Sequence, residues 1–130
     1  MLVVDASLAL RAALAGFDSV LEVDDELVAP PMLWSEVRSA LHEARWRREL
    51  ADDPATAAHE RLGRLRIRPR SPARLGREAW RIADELGWAK TYDAEFVALA
   101  SILACRLVTV DARLRRGADR LGFVVGPTEL

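Results

Sequence analysis

The chain is predicted to fold as an α/β domain with a mainly parallel sheet and helices on both faces. Three observations carry that prediction. Short apolar, β-branched runs recur along the 130 residues. The segments between them place apolar residues at helical spacing. Strand and helix signals alternate from one end to the other, the pattern of stacked β-α units. No internal repeat and no Gly/Ser- or Pro-rich linker interrupts the pattern, so residues 1–130 read as one domain. At this length a core can form without disulfides or metal staples.

The elements follow in order. Leu2-Val3-Val4 is a buried strand that stops at Asp5. Residues 6–15 are helix-prone, with Gly16 as the stop. Leu27-Val28-Ala29 is a second strand, closed by Pro30-Pro31. From Met32 to Leu50, Leu33, Val37, Ala40, Leu41 and Ala44 make an apolar stripe with arginines opposite. Asp53 is the expected N-cap of the next helix, with Pro54 at its first position, running through Leu65. Leu65 and Ile67 alternate with Arg64, Arg66 and Arg68, an edge-strand pattern ended by Pro69. Helices are expected over 72–86, stopped by Gly87, and over 91–104, the latter almost wholly apolar after Glu95 and therefore buried. Leu107-Val108-Thr109-Val110 is the clearest strand; a short helix over 112–121 and Phe123-Val124-Val125 close the fold.

Composition narrows the class. The 51% hydrophobic share excludes a disordered chain. A single cysteine, Cys105, excludes a disulfide framework and a cysteine-based zinc site, fits a reducing compartment, and reads as a small core residue. The uncharged run from Phe96 to Cys105 is about half the roughly 20 residues a membrane span needs. The N-terminus lacks the basic region of a signal peptide, so a soluble cytoplasmic protein is expected. His42 and His59 have no helix-spaced partner and read as surface residues, and the scattered glycines form no phosphate-binding loop.

The formal net charge of -1 hides segregation. Residues 1–36 hold seven acids and one base, Arg11; residues 37–82 hold twelve arginines and six acids. Within that basic part, Arg61 to Arg81 is the densest stretch, and Arg74, Arg77 and Arg81 share a helix face that could track phosphates. Trp46 lies among Arg45, Arg47 and Arg48 on the polar side of its helix, where an aromatic suggests a partner surface.

Four acids stand apart. Asp5 and Asp111 follow strand runs, where ligands of open parallel sheets bind. Glu36 interrupts the edge of an apolar stripe, and Asp93 opens the most apolar helix. Singly, each has an ordinary explanation as a turn, dipole or half-exposed residue. Gathered at one sheet edge they would repel one another unless a cation joined them, and an all-carboxylate set suits a hard divalent ion, Mg²⁺ or Mn²⁺.

The segments Val3-Val4-Asp5-Ala6-Ser7, Pro31-Met32-Leu33-Trp34-Ser35-Glu36-Val37, Thr91-Tyr92-Asp93-Ala94-Glu95-Phe96-Val97-Ala98-Leu99-Ala100 and Leu107-Val108-Thr109-Val110-Asp111 resemble the four acidic motifs of PIN-domain ribonucleases. Their order and the overall length are similar to VapC-type toxins of bacterial toxin–antitoxin pairs. The resemblance implies a three-layer α/β/α sandwich with strand order 3-2-1-4-5, so that strands one and four are neighbours. It implies an Mg²⁺- or Mn²⁺-dependent endoribonuclease in which Asp5, Glu36, Asp93 and Asp111 are catalytic. Asp5, Asp93 and Asp111 would be direct metal ligands, Glu36 would bind a second metal or act through water, and Ser7 and Thr109 would order the site. It also implies an RNA substrate, a cognate VapB-type antitoxin over the Trp46 region and a homodimer. Two other readings share the motifs: a non-catalytic PIN-like module that binds RNA or protein, and a PIN nuclease outside a toxin–antitoxin system.

Overall fold

The computed structural model of the chain describes residues 1–16 and 21–130. Five strands form an all-parallel sheet in the order β3-β2-β1-β4-β5. They are β1 (Leu2–Val4), β2 (Leu27–Ala29), β3 (Ile67–Pro69), β4 (Arg106–Val108) and β5 (Val124–Val125). Helices α1 (Ala6–Ala15), α2 (Met32–Trp46) and α3 (Asp52–Leu62) pack on one another, and α4 (Leu75–Leu86) packs on α5 (Tyr92–Leu103). The short α6 (Ala112–Ala118) lies against β5. Chain order runs outward from β1 to β3, then crosses to β4 and outward again to β5. Right-handed crossovers therefore put α1–α3 on one face and α4–α6 on the other.

The core is built from the apolar runs that define the elements. Val3, Val4, Val28, Leu107 and Val108 fill the sheet centre, and Phe96, Val97 and Leu99 of α5 cover one face. The reversal of strand order falls between β1 and β4, with Leu2, Val3 and Val4 paired to Arg106, Leu107 and Val108. That is the position at which an open parallel sheet leaves a crevice beyond its carboxyl ends. Among the described residues, no helix is long and apolar enough to cross a membrane.

Several boundaries differ from those expected. Helix α2 stops at Trp46, four residues short of Leu50, because Arg48 turns into the left-handed region (φ 59°) and the amides of Glu49 and Leu50 fold back onto the Ala44 carbonyl. Asp53 is not an N-cap: α3 starts at Asp52 after Ala51, and the first-turn position lets both aspartates complement the helix dipole. Pro54 is tolerated at the third helical position because first-turn amides have no intrahelical partner. The α3 end continues as a turn through Leu65, whose amide meets the Leu62 carbonyl, so the edge strand begins at Ile67 and includes Pro69. Helix α4 begins at Leu75 rather than Pro72. Strand β4 ends at Val108, although the Thr109 amide still donates to the Val125 carbonyl of β5, and Asp111 is a helix cap rather than an immediate strand-end residue.

Ala104, the C-cap of α5, holds φ at 52°, a conformation glycine adopts without the Cβ penalty. Ala104→Gly is expected to stabilise the protein by roughly 0.5–1 kcal/mol, measurable by urea unfolding.

A candidate active site at the strand ends

Asp5 is the most constrained of the four acids. Its side chain is only 4% exposed and accepts three hydrogen bonds. Ser7 Oγ donates to Oδ1 at 2.7 Å and the Leu8 amide donates to the same oxygen at 3.1 Å, which also makes Asp5 the N-cap of α1. Thr109 Oγ1 donates to Oδ2. Burial raises the Asp5 pKa; the three donors act against that, and the Asp111 charge adds to it.

Thr109 is itself a hub. Buried just past β4, its hydroxyl accepts from the Asp111 amide at 2.9 Å and lies 3.3 Å from Ser7 Oγ, which in turn accepts from the Val110 amide at 3.3 Å. One hydroxyl pair thus ties the end of β1 to the end of β4. Thr109→Val would leave the Asp111 amide without its acceptor and Asp5 without a donor. The expected cost is about 1–3 kcal/mol in denaturant unfolding, whereas Thr109→Ser should retain most of it.

Asp111 caps α6: Oδ1 accepts from the Arg113 amide at 2.8 Å and the Leu114 amide at 3.3 Å. The turn-residue explanation is therefore realised, and because capping engages a single oxygen, Oδ2 makes neither of these bonds. Asp111→Ala should lose about 1 kcal/mol of stability, while Asp111→Asn keeps the cap and removes only the charge, a contrast readable from two thermal melts.

Asp93 and Glu36 come from opposite faces of the sheet. Asp93 lies exposed in the first turn of α5, where it also complements the dipole. Its pKa is raised by partial desolvation and by the Asp111 charge, while Arg113 acts in the other direction. Glu36, half-buried in the first turns of α2, has its pKa raised to about 7, first by desolvation and then by the charges of Asp93, Asp5 and Glu95. The charge of Asp111 thus acts on Asp5 and Asp93, and the charges of Asp93 and Asp5 act on Glu36. Beside them a hollow of about 380 Å³ opens between α1 and α2, lined by Ser7, Leu10, Glu36, Ser39 and Glu43.

Glu95 is an acid the motifs do not single out. Its own pKa is raised by desolvation and its charge acts on Glu36. A second carboxylate in the first turn of a buried helix was the available signal. Arg113, next to the capped end of α6, is a basic residue that sequence reasoning also missed, and its charge acts on Asp93.

An all-oxygen, all-acidic donor set is the kind that a hard divalent cation takes. Among the described residues, no three acidic, histidine or cysteine side chains are grouped closely enough to hold an ion as they stand.

The comparisons agree with this geometry. The family model described as "PIN domain" matches residues 2–120. The chain belongs to the PIN-domain family. It is 36% identical over 115 residues to the VapC ribonuclease Mb0985 of Mycobacterium bovis and to the ribonuclease VapC9 of Mycobacterium tuberculosis, covering 88% of each chain. The crystal structure of PAE2754 from Pyrobaculum aerophilum superposes with a TM-score of 0.71 at 25% identity, over 98% of this chain and 90% of that one. The strand order 3-2-1-4-5 that the PIN resemblance implied is the order observed.

The remaining sequence candidates are dispersed. Arg61 donates to the Ala13 carbonyl at 2.6 Å, closing the end of α1. Arg68 pairs with Glu26, and Arg81 is held by Glu78 and Glu85, so three arginines of the Arg61–Arg81 stretch have partners within the fold. Trp46 is 77% exposed on α2, as its place among the arginines suggested. His42 and His59 lie at the surface, and Cys105 is half-buried against the core.

Proposed function

We propose that this protein is a divalent-metal-dependent endoribonuclease, acting as the toxin of a VapBC-type toxin–antitoxin pair. The observation that carries the reading is the junction of β1 and β4, where Asp5, fixed by Ser7 and Thr109, is coupled to Asp111, Asp93 and Glu36. Membership in the PIN-domain family and the likeness to VapC ribonucleases support it.

In this reading Asp5, Asp93 and Asp111 hold Mg²⁺ or Mn²⁺, and Glu36 acts through water or at a second ion. When bound, the ion supplies Lewis acidity to the scissile phosphate and the attacking water. The chain's own contribution is preorganisation. Ser7 and Thr109 fix both oxygens of Asp5, and the α6 cap fixes Asp111, so the carboxylates meet an ion without first being ordered. Residues 1–130 act as one PIN domain, in the cytoplasm, with a VapB-type antitoxin and a second copy of the chain as partners.

The test is direct. Purified protein should cleave single-stranded RNA with Mg²⁺ or Mn²⁺ and stop on addition of EDTA. RNA left intact at saturating metal would overturn the nuclease assignment. A gene for a small DNA-binding protein immediately upstream would support the toxin role.

A further inference from the structure

The acidic site raises a problem for any RNA-cleaving reading: a cluster of carboxylates repels the backbone it must act on, so affinity has to come from elsewhere. A notch between α2 and α3 that carries two arginines offers such a source. It encloses about 190 Å³, with Leu41 and Ala55 among its apolar lining and Arg38, Arg45, His42 and His59 supplying its polar groups. Arg38 Nε donates to His59 Nε2 at 3.1 Å, and Arg45 Nη2 lies 3.2 Å from His42 Nε2. A guanidinium can only donate, so both imidazole nitrogens accept. Each arginine is thereby oriented at the cost of one donor, with its remaining N–H groups and its whole charge uncompensated.

Several other arginines are instead neutralised by carboxylates. Arg47 is paired with Glu43 at 2.6 Å, Arg81 with Glu78 and Glu85, and Arg115 with Glu129. Among the described residues, no carboxylate pairs with Arg38 or Arg45. No acid lines the notch.

The notch is also connected to the acids. Ser39 and Glu43 line both the hollow that holds Ser7 and Glu36 and the open cleft beside Trp46. Arg38 and His42 line both that cleft and the notch. One continuous path therefore runs along the outer face of α2, from the acidic site past an exposed tryptophan to two unpaired guanidinium groups. Glu43, the acid on that path, is neutralised by Arg47.

We propose that the Arg38/Arg45 notch anchors one backbone phosphate of the RNA substrate, with a flanking base on the open face of Trp46. The inference rests on the ribonuclease reading and adds to it where the strand lies. Two guanidinium forks suit the non-bridging oxygens of a phosphate. An indole face accepts any base, which fits anchoring without sequence preference.

The experiment uses a fluorescent single-stranded RNA oligonucleotide and anisotropy in EDTA across a salt series. The Arg38→Gln/Arg45→Gln protein should bind about 10-fold more weakly. The slope of log affinity against log salt should fall by about 0.7, the value for one single-strand phosphate contact. Arg38→Lys/Arg45→Lys, which keeps the charge, should restore the slope, and circular dichroism should show all three proteins folded. Equal affinity and equal slope for wild type and the Gln variant would overturn the proposal. So would a glutamate-rich peptide whose binding alone depends on the two arginines, which would make the notch a protein-docking site. Cleavage of the same RNA with Mn²⁺ is followed separately: intact RNA there refutes the nuclease reading, whereas a failed slope test refutes only the anchor.

Discussion

Asp93→Asn is expected to slow RNA cleavage by about 10³-fold while shifting the thermal midpoint by no more than about 2 °C. The separation of the two effects follows from where Asp93 sits. It is exposed in the first turn of α5, so its replacement opens no cavity. Loss of a favourable dipole interaction, worth about 0.3–1 kcal/mol, is offset by relief of its repulsion with Asp111. Activity has no such compensation, because an amide gives up the charge a divalent ion needs. Asp5→Asn is a less clean probe. Its buried carboxylate accepts from donors on both oxygens, so an amide must direct its NH₂ at a donor and disturb Ser7 or Thr109. Single-turnover cleavage with parallel melts measures both quantities. Wild-type cleavage by folded Asp93→Asn would remove Asp93 from the catalytic set.

Metal-free protein should lose stability as pH rises from about 5 to 8, the reverse of the usual behaviour of paired carboxylates. Glu36 has an ordinary pKa of 4.5 and a folded value of about 7, and Asp5, Asp93 and Glu95 are raised in the same direction. Between those two values the folded state holds a proton that the unfolded chain has released, so unfolding becomes more favourable with each step in pH. The stabilisation is complete below pH 4.5 and gone above about 7. Glu36 is only half-buried, so solvent screening discounts the effect to roughly 1–2 kcal/mol, or about 5 °C in thermal midpoint. Glu36→Gln should flatten the profile. Mg²⁺ at about 100 times its dissociation constant should add roughly 2.7 kcal/mol at pH 8 and far less at pH 5, where protons compete for the carboxylates. A pH-independent midpoint from 5 to 8 would contradict the coupling of these acids.

Much of this site was legible before any coordinates. Asp5 and Asp111 announce themselves by following apolar runs, and the α/β alternation dictates that such residues gather at one edge. The order 3-2-1-4-5, which makes β1 and β4 neighbours, came from the family resemblance, since alternation alone leaves strand order open. What the sequence could not reveal is local. Thr109 lies just past β4, its amide still bonded to the Val125 carbonyl, while its hydroxyl meets Asp5 and the Asp111 amide, tertiary partners that β-propensity does not reveal. The early end of α2 depends on Arg48 adopting a conformation that nothing in its side chain favours. The pairing of the arginines was equally hidden. The densest stretch, Arg61 to Arg81, spends several of its charges inside the fold, while Arg38 and Arg45 stand free because only imidazoles meet them. Charge density along a chain says little about which charges remain available once acids from other elements arrive.

The claim on which everything else depends is that the strand-end acids form a divalent-cation site. Titration of Mn²⁺ into the metal-free protein by isothermal calorimetry at pH 7.5 tests it most directly. Saturable binding to wild type is expected, weakened at least about 10-fold in Asp5→Asn. No binding to wild type, or equal binding to both proteins, would contradict it.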